Sequence, residues 1–198
     1  MSIQETRALW EKFKTADQAH DATAVSELYA EDVVFTGTPL RGRSALKQFD
    51  ASFYAAFPDY QREYLTEVVG DDVVAFSHHY TATHSGRWMG MEPTGMRLDV
   101  TGCSVLKVRD GHFAEVQVFQ NDVMGALRHQ AHRQLVERLV EAENTGDVEA
   151  YAACLAPDVE VWVNGVHTVS SRDGQQASLE AALRAFPDWH RGNTRHLR

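Results

Sequence analysis

The run Val73 to Thr83 alternates so that Phe76, His78 and Tyr80 share one face of a strand, with His84 at its end. An imidazole near its neutral form can donate to an enolate or protonate a carbonyl oxygen, so this face is a candidate for proton chemistry. Glu115 and Gln117 lie on the strand-like run before Asn121-Asp122, where they either reach the same space or face solvent. Ten histidines also suggest a metal. His78-His79, His84, His112, His129 and His132 nevertheless lack an i, i+4 helical pair or a two-His-plus-carboxylate pattern, so no metal site is expected. No Gly-rich phosphate loop, G-x-S-x-G elbow or Cys-His nucleophile arrangement is visible.

The elements that must position these residues follow from periodicity. Leu9, Trp10, Phe13, Val25, Leu28 and Tyr29 recur at helical spacing, with a break near His20-Asp21-Ala22-Thr23, which predicts a helix, a bend and a shorter helix. Val33-Val34-Phe35 reads as a short strand. Ser44 opens a helix with Leu46, Phe49, Phe53 and Phe57 on one face, stopped by Pro58. Four β-branched and aromatic runs follow, Tyr60 to Val69, Val73 to Thr83, Leu98 to Val108 and Phe113 to Gln120, with a tight hairpin at Asp110-Gly111. Helices followed by a strand meander predict an α+β fold, a curved sheet folded over its own helices with a small enclosed cavity.

The chain has 198 residues and a formal net charge of −9, which disfavours nucleic acid and anionic membrane surfaces as partners. Charges run through the first residues, and no stretch approaches 18 apolar residues, so a soluble, cytoplasmic protein is expected. Cys103 and Cys154 sit among apolar neighbours and are expected to be buried free thiols. The charged stretches Glu137 to Glu143 and 191 to 198 read as solvated surface.

The chain then begins again. Gly146 to Val159 parallels Asp21 to Val33 at an offset of 126 residues, and Phe186-Pro187-Asp188-Trp189 parallels Phe57-Pro58-Asp59-Tyr60 at an offset of 129. The expected organisation is a domain at 1–130 and an incomplete second copy at 131–198, with helices and a first strand but no meander. Such a half copy cannot build a sheet of its own and would expose apolar faces, so docking on the first domain or pairing in a homodimer is expected.

The segment Thr83-His84-Ser85-Gly86-Arg87-Trp88-Met89-Gly90-Met91-Glu92-Pro93-Thr94-Gly95-Met96 resembles the T-H-x-G-x-x-x-G-x-x-P-T-G signature of the SnoaL-like polyketide cyclases, or ester cyclases, of the NTF2-like superfamily. Phe57-Pro58-Asp59, Asp110-Gly111 and Asp122-Val123-Met124-Gly125-Ala126-Leu127-Arg128 match further family positions. The resemblance implies a cone of curved mixed β-sheet wrapped around N-terminal helices. It implies cofactor-independent, metal-free ring closure by intramolecular aldol or related acid–base chemistry on a polyketide-like substrate.

On the matched positions Asp122 is the general acid/base, with the adjoining Asn121 as the other register, or else the N-cap of the following helix. His84 is the matched oxyanion donor, or a brace for the loop after it. His78, Tyr80, Phe35, Trp88, Glu115 and Gln117 are candidate pocket residues. Phe35 stands where cyclases often carry a polar residue, which implies a more apolar pocket and a small hydrophobic substrate. Epoxide-opening relatives need an Asp-Arg-Asp arrangement, and the strand Val73 to Thr83 contains no Arg, so that chemistry ranks low. The competing reading is a non-catalytic small-molecule-binding or assembly module whose cone is filled by aromatic side chains.

Overall fold

The computed structural model describes residues 2–191, and 192–198 of the charged tail lie outside the described residues. The chain divides into two compact units, 1–128 and 129–198.

In the first unit, α1 (Ile3–Gln18) starts on a capping box in which Ser2 and Glu5 satisfy each other's backbone N–H groups. Asp21 caps the short α2 (Ala22–Glu27) after a bend at His20, whose φ is +55°. Strand β1 (Tyr29–Phe35) leads into α3 (Arg43–Ala56). The meander is β2 (Gln61–Val69), β3 (Val73–Thr83), β4 (Arg97–Arg109) and β5 (His112–Gln120). The last hairpin turns on Asp110 and Gly111, both at positive φ.

The sheet order is β1-β5-β4-β3-β2, with β1 parallel to β5 and every other pair antiparallel. Register shifts at Tyr64/Thr66 and at Lys107/Val108 add local twist and bend the sheet over the helices. Alternation along β3 is regular: Val74, Phe76, His78, Tyr80 and Ala82 point inward and are buried. One core gathers Trp10, Phe13, Val33, Phe76, Leu106 and Phe113 from α1 and the sheet, and a second gathers Phe57, Tyr60, Tyr80, Trp88, Leu98 and Leu127. Cys103 departs from expectation. Odd positions of β4 face outward, so its thiol is exposed, and Cys154 is half-buried; both are free.

The second unit begins within α4 (Val123–Thr145) and continues through α5 (Val148–Ala153), β6 (Val161–Val163), β7 (Val166–Val169) and α6 (Arg172–Ala185). A lone strand was expected, and a two-stranded sheet is found. The overlooked signal is Asn164-Gly165, both at positive φ, which turns β6 back on β7. Local geometry echoes the first unit: Asp147 caps a six-residue α5 as Asp21 caps a six-residue α2, and α6 matches the 14-residue length of α3. Glu143 is another correction to the expected solvated stretch, since it is buried and takes the Trp189 Nε1–H bond at 3.2 Å and the Arg191 guanidinium at 3.2 Å.

Phe113 is fully buried and meets the Phe13 ring edge-on at 5.7 Å between centroids. Phe113→Ala should cost about 3–5 kcal/mol in urea unfolding of the first unit; a loss below about 1 kcal/mol would show that this core collapses around the gap.

Candidate active site

Between helices and sheet lies a cavity of about 510 Å³. Its walls come from the apolar stripes of α1 and α3 and the inward face of the sheet: Phe13, Phe49, Phe53, Phe76, Leu106 and Val116. Exposed lining residues mark the mouth, namely Gly37 and Pro39 after β1, Met89, and Asn121 with Asp122.

Polar groups interrupt this apolar wall at a few points. Asp17 of α1 is 3% exposed and is surrounded: Tyr54 Oη donates to its Oδ1 at 2.9 Å, Tyr64 Oη to its Oδ2 at 2.7 Å, and the Arg62 guanidinium lies 3.3 Å away. A buried carboxylate needs such partners to remain charged. Burial, the Asp17 charge and these hydrogen bonds push the Tyr54 and Tyr64 hydroxyls well above the usual range, so both stay protonated donors.

Asp50 of α3 lines the same cavity without that company. The residue as a whole is half-buried, but its Oδ2 is sealed from solvent and has no hydrogen-bond partner. Burial, and after it the Asp17 charge, raises its carboxyl to about 7, against the pull of Arg62. Neither aspartate was singled out from sequence, although a signal existed. Asp17 follows Phe13 by four residues and Asp50 follows Leu46 by four, so both occupy the apolar stripe of their helices. Arg62 also revises the argument about Asp-Arg-Asp chemistry. The arginine is on β2 rather than β3, and Asp17, Arg62 and Asp50 all line one cavity.

The cavity brings together Asp122, His78, Tyr80, Phe35 and Trp88, and it excludes His84, Glu115 and Gln117. Asp122 is exposed at the mouth, where its Oδ1 accepts the Gly125 N–H at 2.8 Å at the start of α4. A Cβ at residue 125 would fall 2.3 Å from Asp122 Oδ2, so a side chain there would make the Asp122 carboxylate turn aside. His78 is 2% exposed; burial, then the nearby Arg62 charge, lowers it to about 4, so it is neutral near pH 7. Glu115 faces the other side of the sheet, bound to Lys107 at 2.9 Å and to Gln117 at 2.6 Å.

His84 is wholly buried behind the wall and stacks on Phe57 at 5.2 Å. Its Nδ1 accepts from Thr94 N–H at 3.3 Å and lies 3.1 Å from Thr94 Oγ1, which places the ring proton on Nε2. Its backbone bonds Met96 and Gly95. This geometry is that of the loop brace, and the loop it closes carries Trp88 into the cavity. The rest of the signature is equally structural. Thr83 is held by Asp59 through its N–H at 2.7 Å and its hydroxyl at 2.6 Å, and the Ser85 and Gly86 N–H groups cap the Ala56 carbonyl at the end of α3. A Cβ on Gly86 would sit 2.9 Å from Ala55 O and Ala56 Cα, so this close approach requires glycine.

A helix-lined cone of curved mixed sheet around one apolar cavity is the NTF2-like class of fold. Residues 6–129 match the SnoaL-like polyketide cyclase family, and residues 136–196 match a SnoaL-like domain. The chain belongs to the SnoaL-like polyketide cyclase family. It is similar to AclR from Streptomyces galilaeus, with 26% identity and a TM-score of 0.54 over 64% of this chain and 96% of that one. TsrD from Streptomyces laurentii shares the fold at 18% identity and a TM-score of 0.56, covering 66% of this chain and 97% of that one. No curated protein is a significant match. Among the described residues, no helix is long and apolar enough to cross a membrane.

The raised Asp50 carboxyl fixes the sign of a pH dependence. The folded protein holds this proton up to about pH 7, whereas the unfolded chain releases it near the ordinary aspartate value of about 4. The Asp50 contribution to stability is therefore fully present below pH 4 and is lost as pH rises to about 7. Asp50→Asn should match wild type in urea unfolding at pH 4 and exceed it at pH 8; equal stabilities at both pH values would contradict the placement.

Proposed function

We propose that the first unit is a cofactor-independent cyclase that closes a ring in a polyketide-like small molecule by an intramolecular aldol-type or related acid–base step. Family membership supports a cyclase-type function, and the observation that carries the reading is the apolar cavity, large enough for a ring system, with ionisable side chains set into its wall. The cone is not filled by its aromatic residues, which favours the enzyme over the binding module.

In this reading Asp122 takes a proton from a carbon next to a carbonyl as the substrate enters the mouth. The developing enolate is an oxyanion and needs donors. Tyr60 Oη and Trp88 Nε1 are buried in the lining without partners and supply them. His84 contributes by holding the loop that presents Trp88. The grouping of Asp17, Arg62 and Asp50 in the cavity supports a second reading, hydrolytic opening of a small hydrophobic epoxide.

Ring closure of a synthetic poly-β-carbonyl methyl ester tests the first reading. Asp122→Asn should lower turnover by on the order of 10²–10⁴ while ligand binding survives. Turnover close to wild type would remove Asp122 from the chemistry, and Asn121→Ala beside it settles the register.

We also propose that the chain works as a homodimer. In the second unit Trp162, Val163, Val166 and Phe186 are each more than half exposed, an apolar surface that pairing of two chains would cover. Light scattering of the full chain should give the mass of two copies, and a single-chain mass at micromolar concentration would count against it.

A further inference from the structure

We propose that Asp50 is a second proton-transfer residue of the cavity, acting from within its wall while Asp122 stands at the mouth. The inference rests on the reading of the cavity as a reaction chamber and adds a catalytic group to it.

A buried carboxyl oxygen with no hydrogen-bond partner is costly and uncommon. Here it occurs on the apolar stripe of a helix, and the oxygen belongs to a side chain that lines the cavity. The groups around it are arranged unequally. Arg62 and the hydroxyls of Tyr54 and Tyr64 are committed to Asp17, which keeps that carboxylate occupied. Asp50 feels the Asp17 and Arg62 charges and shares its surroundings with Tyr29 and Tyr54, but none of them bonds its Oδ2. Two carboxylates thus differ in availability, one fixed by partners and one free to gain or lose a proton near neutrality.

Four other buried polar atoms of the lining lack partners: Tyr60 Oη, Arg62 Nε, His78 Nδ1 and Trp88 Nε1. The O–H of Tyr60 and the N–H groups of Arg62 and Trp88 are donors, suited to oxygens that become negative. Once Asp122 has taken the proton from the carbon next to a carbonyl, the C–H electron pair passes into the enolate. The enolate carbon then attacks a second carbonyl carbon of the same molecule, forming the C–C bond. In the step assigned to Asp50, its protonated carboxyl gives its proton to the oxygen that receives the displaced electron pair, and the proton held by Asp122 returns to Asp50 through solvent, so no other reactant is consumed.

The test uses the full chain and 5-nitrobenzisoxazole, a probe that reports a carboxylate base in an apolar cavity. Asp50 would take the C3 proton as the N–O bond breaks, leaving a nitrile and a coloured phenolate. Wild type should show elimination that rises with pH to a plateau, with its midpoint at about 7. Asp50→Asn should lose on the order of 10²-fold or more of this rate together with the midpoint, and Asp50→Glu should restore part of both. Retention of rate and midpoint in Asp50→Asn overturns the proposal. If that variant does not fold, the wild-type profile decides, because a midpoint between 4 and 5 also overturns it. Failure of the cyclase reading would look different: elimination would depend on Asp50 while the poly-β-carbonyl ester stayed open. Ring closure that survives Asp50→Asn would sink the present inference alone.

Discussion

The ion pair between Asp17 and Arg62 is the interaction on which the chamber depends. It ties α1 to β2, and the Tyr54 hydroxyl adds α3 through the same carboxylate. Taking both charges out of water is costly, and loss of either partner would leave the other buried at a cost of about 3–5 kcal/mol. The pair therefore fixes three elements at a single point. It also sets the electrical environment of Asp50: Asp17 disfavours ionisation there, Arg62 favours it, and burial outweighs both. The result is a carboxyl poised near neutrality in a cavity that is otherwise largely apolar.

A second constraint holds the C-terminal end of α3, two residues beyond Tyr54. The carbonyl of Ala56 is capped by Ser85 and Gly86, Asp59 grips Thr83, and His84 fastens the loop back to Thr94. The family signature is in this view a clamp that seats α3 and closes the Trp88 loop over the second core. Residues that look chemical in a motif can be structural, and the residues that line the chamber, Trp88 and Met89 apart, lie outside it.

That contrast explains what the sequence made legible. Strand and helix order followed from periodicity, because alternation on β3 and the apolar stripes of α1 and α3 each report burial on one side of an element. The inward positions of His78 and Tyr80 followed from the same alternation. Asp17 and Asp50 were legible only as interruptions of those stripes, and Arg62 only as an alternate position between Tyr60 and Tyr64. Their meaning depends on three elements meeting, which no local pattern encodes. The second sheet was missed for a simpler reason: two strands of three and four residues are too short to show a period, and the Asn164-Gly165 turn was the one available sign.

The central claim is that this fold holds a protonatable carboxyl in its cavity at neutral pH. Carbon-13 NMR of the aspartate carboxyl carbons across pH 3 to 9 measures it directly, with Asp50→Asn to assign the signal. The account predicts one carboxyl that titrates at about 7 and moves toward the ordinary range when Asp17→Asn removes the neighbouring charge. An Asp50 signal that titrates at about 4, as in an open peptide, would contradict it.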